Sequence, residues 1–211
     1  MMMRVNLGRR RGNAVGLLSV FVLMFASCAP GGGSGSNQND NAPQNSNDNA
    51  GDNENDNADG ITPGVEISVP NEGAQHVPAG TQVEYETNPP ASGPHWSSAN
   101  PPAPADPGFY EDALEEEQWV HNLEHGYVVV LYDCGGECEA SLLADLTAFA
   151  EEAAPSEVFG YAKIVIAPYD GLAFPLVAIA WDVQMYLESY DEAALAAFFE
   201  KYQDEGPEDA P

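Results

Sequence analysis

Positive charge is scarce in this chain of 211 residues, which has 6 lysines and arginines against 34 aspartates and glutamates. Four of the six basic residues lie within the first eleven positions: Arg4, Arg9, Arg10 and Arg11. The rest of the chain has two lysines against all 34 acids, a formal charge of −32. Such a surface repels the phosphates of nucleic acid and the head groups of anionic lipids. We therefore exclude nucleic acid and anionic lipid surfaces as partners.

The first apolar stretch, Ala14 to Ala26, directly follows the arginines. A basic start, a short apolar run and small residues before a cysteine are typical of an export signal, and the run is too short to span a bilayer. Its end, MFASC, resembles a lipobox, which implies cleavage before Cys28 and lipidation of that cysteine. We predict a lipoprotein-type signal peptide at residues 1–27. The mature protein is then exported and anchored to the cell membrane through its lipid, on the extracytoplasmic side. An uncleaved anchor or a plain secretory signal would lead to the same side.

Apolar side chains are nearly absent from residues 28–60, where three eight-residue units follow one another: NQNDNAPQ, NSNDNAGD and NENDNADG. Without apolar surface to bury, such a segment cannot offset the entropy lost on ordering. We predict a disordered tether at residues 28–60 that holds a domain off the membrane. The repeats lack a closing bidentate glutamate at loop spacing, which disfavours calcium loops.

The predicted strands have alternating or continuous apolar residues: TQVEYE, YVVVLY, YAKIVIAP, PLVAIAW and VQMYL. The pattern of YVVVLY is that of a strand buried on both faces. Helices are predicted for EDALEEEQWVHNLEH, CEASLLADLTAFAEEAA and DEAALAAFFEKY. We predict an α/β fold for residues 61–206: a small single domain with a mixed β-sheet flanked by helices. Its element order is distantly thioredoxin-like but lacks one crossover helix. Residues 207–211 are predicted to be an acidic tail.

Two motifs resemble a bacterial domain family of unknown function. They are HVPAGTQVEYETNPPASGPHW, with the pattern PPxSGPH, and VHNLEHGYVVVLY, with the pattern HxLEHGxVV. The later IVIAPYDGLAFPLVAIAWD and YDEAALAAFF are similar to the same family, so the resemblance spans roughly His76 to Gly206. It implies an exported or membrane-anchored protein and no established activity. DCGGEC does not belong to that resemblance, so a function built on it would be local to this protein.

The chain has only four histidines, His76, His95, His121 and His125, and each lies in one of those two motifs. Neutral imidazole is the commonest metal ligand. The i, i+4 spacing of His121 and His125 places both rings on one helical face, and His95 follows the Pro-rich loop. We predict that these three hold one copper or zinc ion. His76 is predicted to be a fourth ligand or an outer partner, and Glu124 to support the ligands from outside.

Two other interpretations of the histidines stay open. HNLEH matches H-x-x-E-H, the inverted zinc-peptidase motif with Glu124 as general base. That motif requires a long helix and a third ligand from another helix, whereas Gly126 and a strand follow at once, so a peptidase is disfavoured. Alternatively, the histidines only shape the Pro-rich loop, and the domain is a non-enzymatic interaction module. No feature identifies a protein or small-molecule partner, and whether the protein is an enzyme stays open.

Two cysteines remain once Cys28 is lipidated, namely Cys134 and Cys138. Outside the cytoplasm an isolated pair oxidises, and two intervening glycines give the flexibility that a small ring requires, so we predict a disulfide. A strand, two spaced cysteines and a helix also allow a thiol-disulfide oxidoreductase. However, the spacer YDGLAF is too short for the crossover helix of that fold, and the acidic neighbours Glu137 and Glu139 disfavour a thiolate.

Overall fold

The computed structural model describes residues 60–211. The predicted signal peptide, Cys28 and all of the predicted tether except Gly60 lie outside the described residues. Among the residues that are described, no helix is both long enough and apolar enough to cross a membrane.

The domain contains three helices and a six-stranded sheet. In chain order the strands are β1 (Glu66–Ser68), β2 (His76–Val77), β3 (His95–Trp96), β4 (Ser98–Ala99), β5 (Pro102–Ala103), β6 (Gly108–Phe109), β7 (Val128–Tyr132), β8 (Ile164–Pro168), β9 (Leu176–Ala180) and β10 (Val183–Leu187). The helices are α1 (Glu116–Glu124), α2 (Ala140–Glu152) and α3 (Glu192–Tyr202). The main sheet has the order β1-β10-β9-β7-β8-β6, and the short pairs β2-β3 and β4-β5 lie outside it.

Strand β7 lies in the middle of the sheet and is buried along its whole length. It runs parallel to β8 and antiparallel to β9, so the sheet is mixed. Alternate side chains of a strand point to opposite faces. Val128 and Val130 accordingly pack with α2 and α3, while Val129 and Leu131 pack with α1. The predicted mixed sheet flanked by helices is therefore confirmed, whereas the distant likeness to thioredoxin is not.

Residues 81–86, TQVEYE, are not a strand, which contradicts the prediction from their alternating pattern. Two of their backbone amides donate to side chains instead of to a neighbouring strand. The amide of Val83 donates to Glu117 Oε1 at 2.7 Å, and the amide of Glu86 donates to Glu72 Oε2 at 2.7 Å. These two carboxylates anchor the loop that leads to β3.

The C-terminal residues return to the end of α1. The amide of Glu208 donates to the carbonyl of Glu124 at 3.0 Å, and Lys163 Nζ donates to the carbonyl of Ala210 at 2.8 Å. Gly126 and Gly206 meet backbone to backbone, since a Cβ on Gly206 would lie 2.2 Å from the Gly126 nitrogen. Residues 207–211, predicted to be an acidic tail, are hydrogen-bonded to the domain.

Candidate metal centre

Helix α1 presents three polar side chains at its C-terminal end. A capping box between Glu115 and Gln118 begins the helix, and Gly126, with a φ of 78°, lets the chain leave it in the left-handed conformation. His121 and Glu124 are three residues apart and His121 and His125 are four apart, so both pairs are neighbours on the helix surface. The short helix thus places these groups beside the start of β7.

Strands β2 and β3 bring the other two histidines to this helix end. They pair in parallel, with His76 directly opposite His95. The ring centroids of His76 and His95 are 4.9 Å apart, and each ring centroid lies 4.8 Å from that of His121. Three of the four histidines of the chain therefore form one compact group.

The carboxylate of Glu124 completes this group. Its Oε2 atom lies 2.9 Å from Nε2 of His95 and 3.2 Å from Nε2 of His76. One ligand atom from each of His76, His95, His121 and Glu124 lies within 4.8 Å of the others, so these four residues could hold a metal ion. We call them the His/Glu cluster.

Backbone carbonyls fix which nitrogen of two of the rings carries hydrogen. A carbonyl oxygen only accepts, so Nδ1 of His95 donates to the Gly93 carbonyl at 2.8 Å, and Nδ1 of His121 donates to the Trp96 carbonyl at 2.6 Å. In a neutral ring the Nε2 atom then carries a lone pair. Nε2 of His95 and Oε2 of Glu124 are consequently two acceptors at 2.9 Å, a contact that requires a proton or a cation between them.

Burial keeps two of these rings neutral. His95 and His121 are 0% and 3% exposed. Burial lowers the pKa of His95, outweighing the Gly93 carbonyl and the Glu124 carboxylate, which act in the opposite direction. Burial also lowers the pKa of His121 to about 4, although the Trp96 carbonyl opposes this. Neutral imidazole is the form that binds metal, so the lowered pKa values of His95 and His121 favour the ligand form of these two rings near neutral pH.

His125 lies beside the His/Glu cluster and not in it. Its Nε2 is 3.0 Å from Nε2 of His121, and its Nδ1 donates to the main-chain oxygen of Pro211 at 2.8 Å. It shares a second group of potential ligands with Glu124 and Glu208, again with ligand atoms within 4.8 Å of one another.

The structure therefore groups the donors differently from the sequence prediction, which had His95, His121 and His125 around one ion and Glu124 outside. The i, i+3 spacing of His121 and Glu124 shares a helical face as well as the i, i+4 spacing does, and this signal was available in the sequence. Glu208 was missed, because one acid among 34 has no local pattern that marks it.

The cluster is open to solvent on one side. The side chain of His76 is 47% exposed, whereas that of Glu124 is only 9% exposed. A hollow of about 550 Å³ reaches the group from outside and is lined in part by His76, His121, His125 and Glu208. An ion could enter the cluster through this hollow.

The cysteines lie away from the cluster. Cys134 and Cys138 are joined as a disulfide with their Cα atoms 5.1 Å apart, as predicted. They follow the end of β7, whereas His121, Glu124 and His125 precede its start. In this oxidised form they offer no thiolate to a metal.

The geometry of α1 and of the cluster does not match that of the H-x-x-E-H peptidase motif. Helix α1 ends at Glu124, and the other two histidines of the cluster come from the short strands β2 and β3. Glu124 contacts His76 and His95 directly. Neither the long helix nor the third ligand from a helix that the H-x-x-E-H motif requires is found among the described residues.

Fold and cluster together define a small mixed α/β domain with a buried group of histidines and a carboxylate that could hold a metal ion. The chain belongs to the family described as protein of unknown function (DUF3105), whose model matches residues 76–211. The expected membership of a family of unknown function is thereby confirmed, and the match includes residues 207–211. No curated protein and no solved structure matches the chain.

Proposed function

We propose that this domain is a metal-binding module that holds one zinc or copper(II) ion through His76, His95, His121 and Glu124. The observation that carries the proposal is the contact between Nε2 of His95 and Oε2 of Glu124 at 2.9 Å. Because the Gly93 carbonyl takes the only ring hydrogen of a neutral His95, the two atoms face each other as acceptors. A cation between them turns this repulsion into two bonds.

The spacing of the donors suits such an ion. Two ligands at roughly 2.0–2.1 Å from a tetrahedral ion are separated by roughly 3.3–3.4 Å. Glu124 Oε2 lies 2.9 and 3.2 Å from the nitrogens of His95 and His76, so only small adjustments are needed. The carbonyls of Gly93 and Trp96 supply the outer hydrogen bonds that orient ligating imidazoles in metalloproteins.

The kind of donor supports the choice of metal. Three imidazoles and one carboxylate suit zinc or copper(II), whereas copper(I) prefers soft sulfur ligands. Cys134 and Cys138 are oxidised and lie at the other end of β7. The strongly acidic chain attracts cations. Four protein ligands fill a tetrahedral shell, which favours metal binding over activation of water.

Thermal unfolding of the full chain, stripped of metal with a chelator and then titrated, tests this proposal. Zinc or copper(II) should raise the melting temperature by mass action on the folded state, and calcium should not. His76→Ala should abolish most of the shift without destabilising the metal-free protein, because this side chain is half exposed. Gln75→Ala, an exposed neighbour, is the matched control and should keep the shift. An unchanged melting temperature with both metals would refute the proposal.

We also propose that the domain acts outside the cytoplasm, anchored through a lipid on Cys28 and separated from the membrane by the Asn/Asp-rich tether. The support is the basic start, the apolar stretch and the MFASC sequence. Mass spectrometry of protein extracted from membranes should find a diacylglyceryl group on an N-terminal Cys28. An unmodified Cys28 would contradict the anchor.

A further inference from the structure

We propose that a second divalent cation binds beside the first, held by His125 and Glu208, with Glu124 as a carboxylate that bridges the two ions. This inference rests on the proposed function, since Glu124 is a ligand in both positions. The probe cations with the matching chemistry are zinc and copper(II), because one imidazole and two carboxylates combine nitrogen and oxygen ligands.

The distance between His125 and Glu208 is the first observation. Nε2 of His125 lies 3.7 Å from Oε2 of Glu208, which is too long for a hydrogen bond. Two ligands that are each about 2.1 Å from one ion can be separated by up to about 4.2 Å, so the gap fits a shared cation. A carboxylate oxygen of Glu124 lies within 4.8 Å of the ligand atoms of His125 and Glu208.

The hydrogen bonding of His125 is the second observation. This residue is 9% exposed, and its Nδ1 contacts the main-chain oxygen of Pro211 at 2.8 Å, an oxygen that only accepts, so Nδ1 carries a ring hydrogen and Nε2 has a lone pair in the tautomer with one hydrogen. Nε2 faces Nε2 of His121 at 3.0 Å, and that atom is also a lone pair because the Trp96 carbonyl takes the hydrogen of His121. Two facing acceptors at this distance require a proton or a cation between them, and a cation held by His125 and Glu208 would meet this requirement.

One ion cannot serve all the donors. The ligand atoms divide into two groups, His76, His95, His121 and Glu124 in one, and Glu124, His125 and Glu208 in the other. Glu124 is the only member that they share. A carboxylate has two oxygens, and two-metal sites place their ions roughly 3.5–4 Å apart. His121 and His125 would then be ligands of neighbouring ions.

The second position lies on the solvent side of the first. Glu208 has a side chain that is 51% exposed, and it lines the hollow together with His125. We therefore expect the second ion to exchange faster than the first and to be removed first by a chelator.

Counting bound zinc tests the inference. The metal-free full chain is incubated with zinc alone, weakly held ions are removed by buffer exchange, and zinc per chain is measured by plasma mass spectrometry. We expect two ions in the native sequence and one in Glu208→Gln, which removes a ligand charge at an exposed position. Glu205→Gln, an exposed glutamate of the same segment, is the matched control and should keep two.

Copper(II) gives an independent measure of proximity. Two copper(II) ions at the expected separation are spin-coupled, so the electron paramagnetic resonance signal of isolated copper should be strongly reduced in the native chain and restored in Glu208→Gln. One zinc per chain in both proteins would refute the second cation site and would leave the proposed first site standing. Two zinc ions in both would place the second ion elsewhere and also overturn the inference. No zinc in either would overturn the proposed function as well.

Discussion

Nε2 of His95 and Oε2 of Glu124 lie 2.9 Å apart although neither has a hydrogen to offer when the ring is neutral. The two residues come from β3 and from the last turn of α1, so the contact links the Pro-rich loop to the helix. A proton or a metal ion must lie between them. Which of the two is present decides how the protein responds to substitution at Glu124.

Glu124→Gln should separate metal binding from folding. The amide of glutamine can donate a hydrogen bond to Nε2 of His95, so we expect the metal-free variant to melt within a few degrees of the native protein or above it. The variant should lose the zinc-dependent stabilisation, which is about 2.7 kcal/mol at a zinc concentration one hundred times the dissociation constant. Scanning calorimetry with and without zinc measures both effects. A variant that keeps the full zinc shift would exclude Glu124 as a ligand.

The metal-free protein should lose stability as the pH falls from about 6.5 to about 4. Burial lowers the pKa of His121 from its ordinary value of 6.5 to about 4, and it also lowers the pKa of His95. In this window the unfolded chain binds more protons than the folded chain, so the free energy of unfolding decreases as the pH decreases. The contribution of His121 is fully present above pH 6.5 and is lost by pH 4, with a size of roughly 3 kcal/mol.

Urea denaturation of the metal-free chain at several pH values measures this dependence. The many carboxylates titrate in the same range, so the informative quantity is the difference between the native protein and His121→Gln, in which this histidine is removed. The variant should have the shallower slope. Equal slopes would show that His121 is not held neutral.

Lys163 should stabilise the fold and hold the C-terminal segment, residues 205–211, against the domain. It is 1% exposed, its Nζ lies 2.9 Å from Asp204 Oδ1, and it donates to the carbonyls of His125 and Ala210. Lys163→Met leaves these acceptors buried without the charge, which should cost about 3–5 kcal/mol of unfolding free energy. Hydrogen exchange should also increase at residues 205–211.

Lys201 provides the matched control, because it is the other lysine of the described residues and it pairs with Glu66 at the surface. Lys201→Met should change the stability little, since exposed ion pairs are weak. The free energy of unfolding of both variants is measured by urea denaturation. Equal decreases in the two variants would show that the buried Lys163 stabilises the fold no more than an exposed lysine does.

The disulfide should be dispensable for metal binding. A ring closed between Cys134 and Cys138 is short, so the double variant Cys134→Ser, Cys138→Ser should lose at most about 2 kcal/mol. Its zinc-dependent melting shift should equal that of the native protein. The oxidised native protein, in turn, should not catalyse insulin reduction by dithiothreitol. Catalysis of that reaction would instead favour a thiol-disulfide oxidoreductase.

Most of the core could be predicted from local pattern. Val128 to Tyr132 form a continuous apolar run, and a short run of this kind, rich in valine, is typical of a strand covered on both faces. The strand predicted at TQVEYE was wrong: the amides of Val83 and Glu86 donate to the side chains of Glu117 and Glu72 and not to a neighbouring strand. Alternation describes which side chains are apolar and does not say where the backbone finds its partners.

The site was predicted only in part, because local sequence pattern marks some of its residues and not others. The four histidines were few enough to be noticed, and helical spacing placed His121 and His125 on one face of a helix. Glu208 reaches the site only because Gly126 and Gly206 meet backbone to backbone and because Lys163 holds the residues that follow. Such contacts between distant segments have no signature in the local sequence.

The donors come from four separate stretches of the chain: His76, His95, the end of α1, and Glu208. A nascent or damaged chain does not hold these stretches together, so retention of the proposed ions would measure the integrity of the described domain. A single proteolytic cut after Gly206 would remove Glu208 and the Pro211 main-chain oxygen that orients His125, while every strand of the six-stranded sheet would remain in the chain. We expect the clipped protein to stay folded and to release its outer metal ion, so that metal content would report damage that spectroscopy of the fold does not detect.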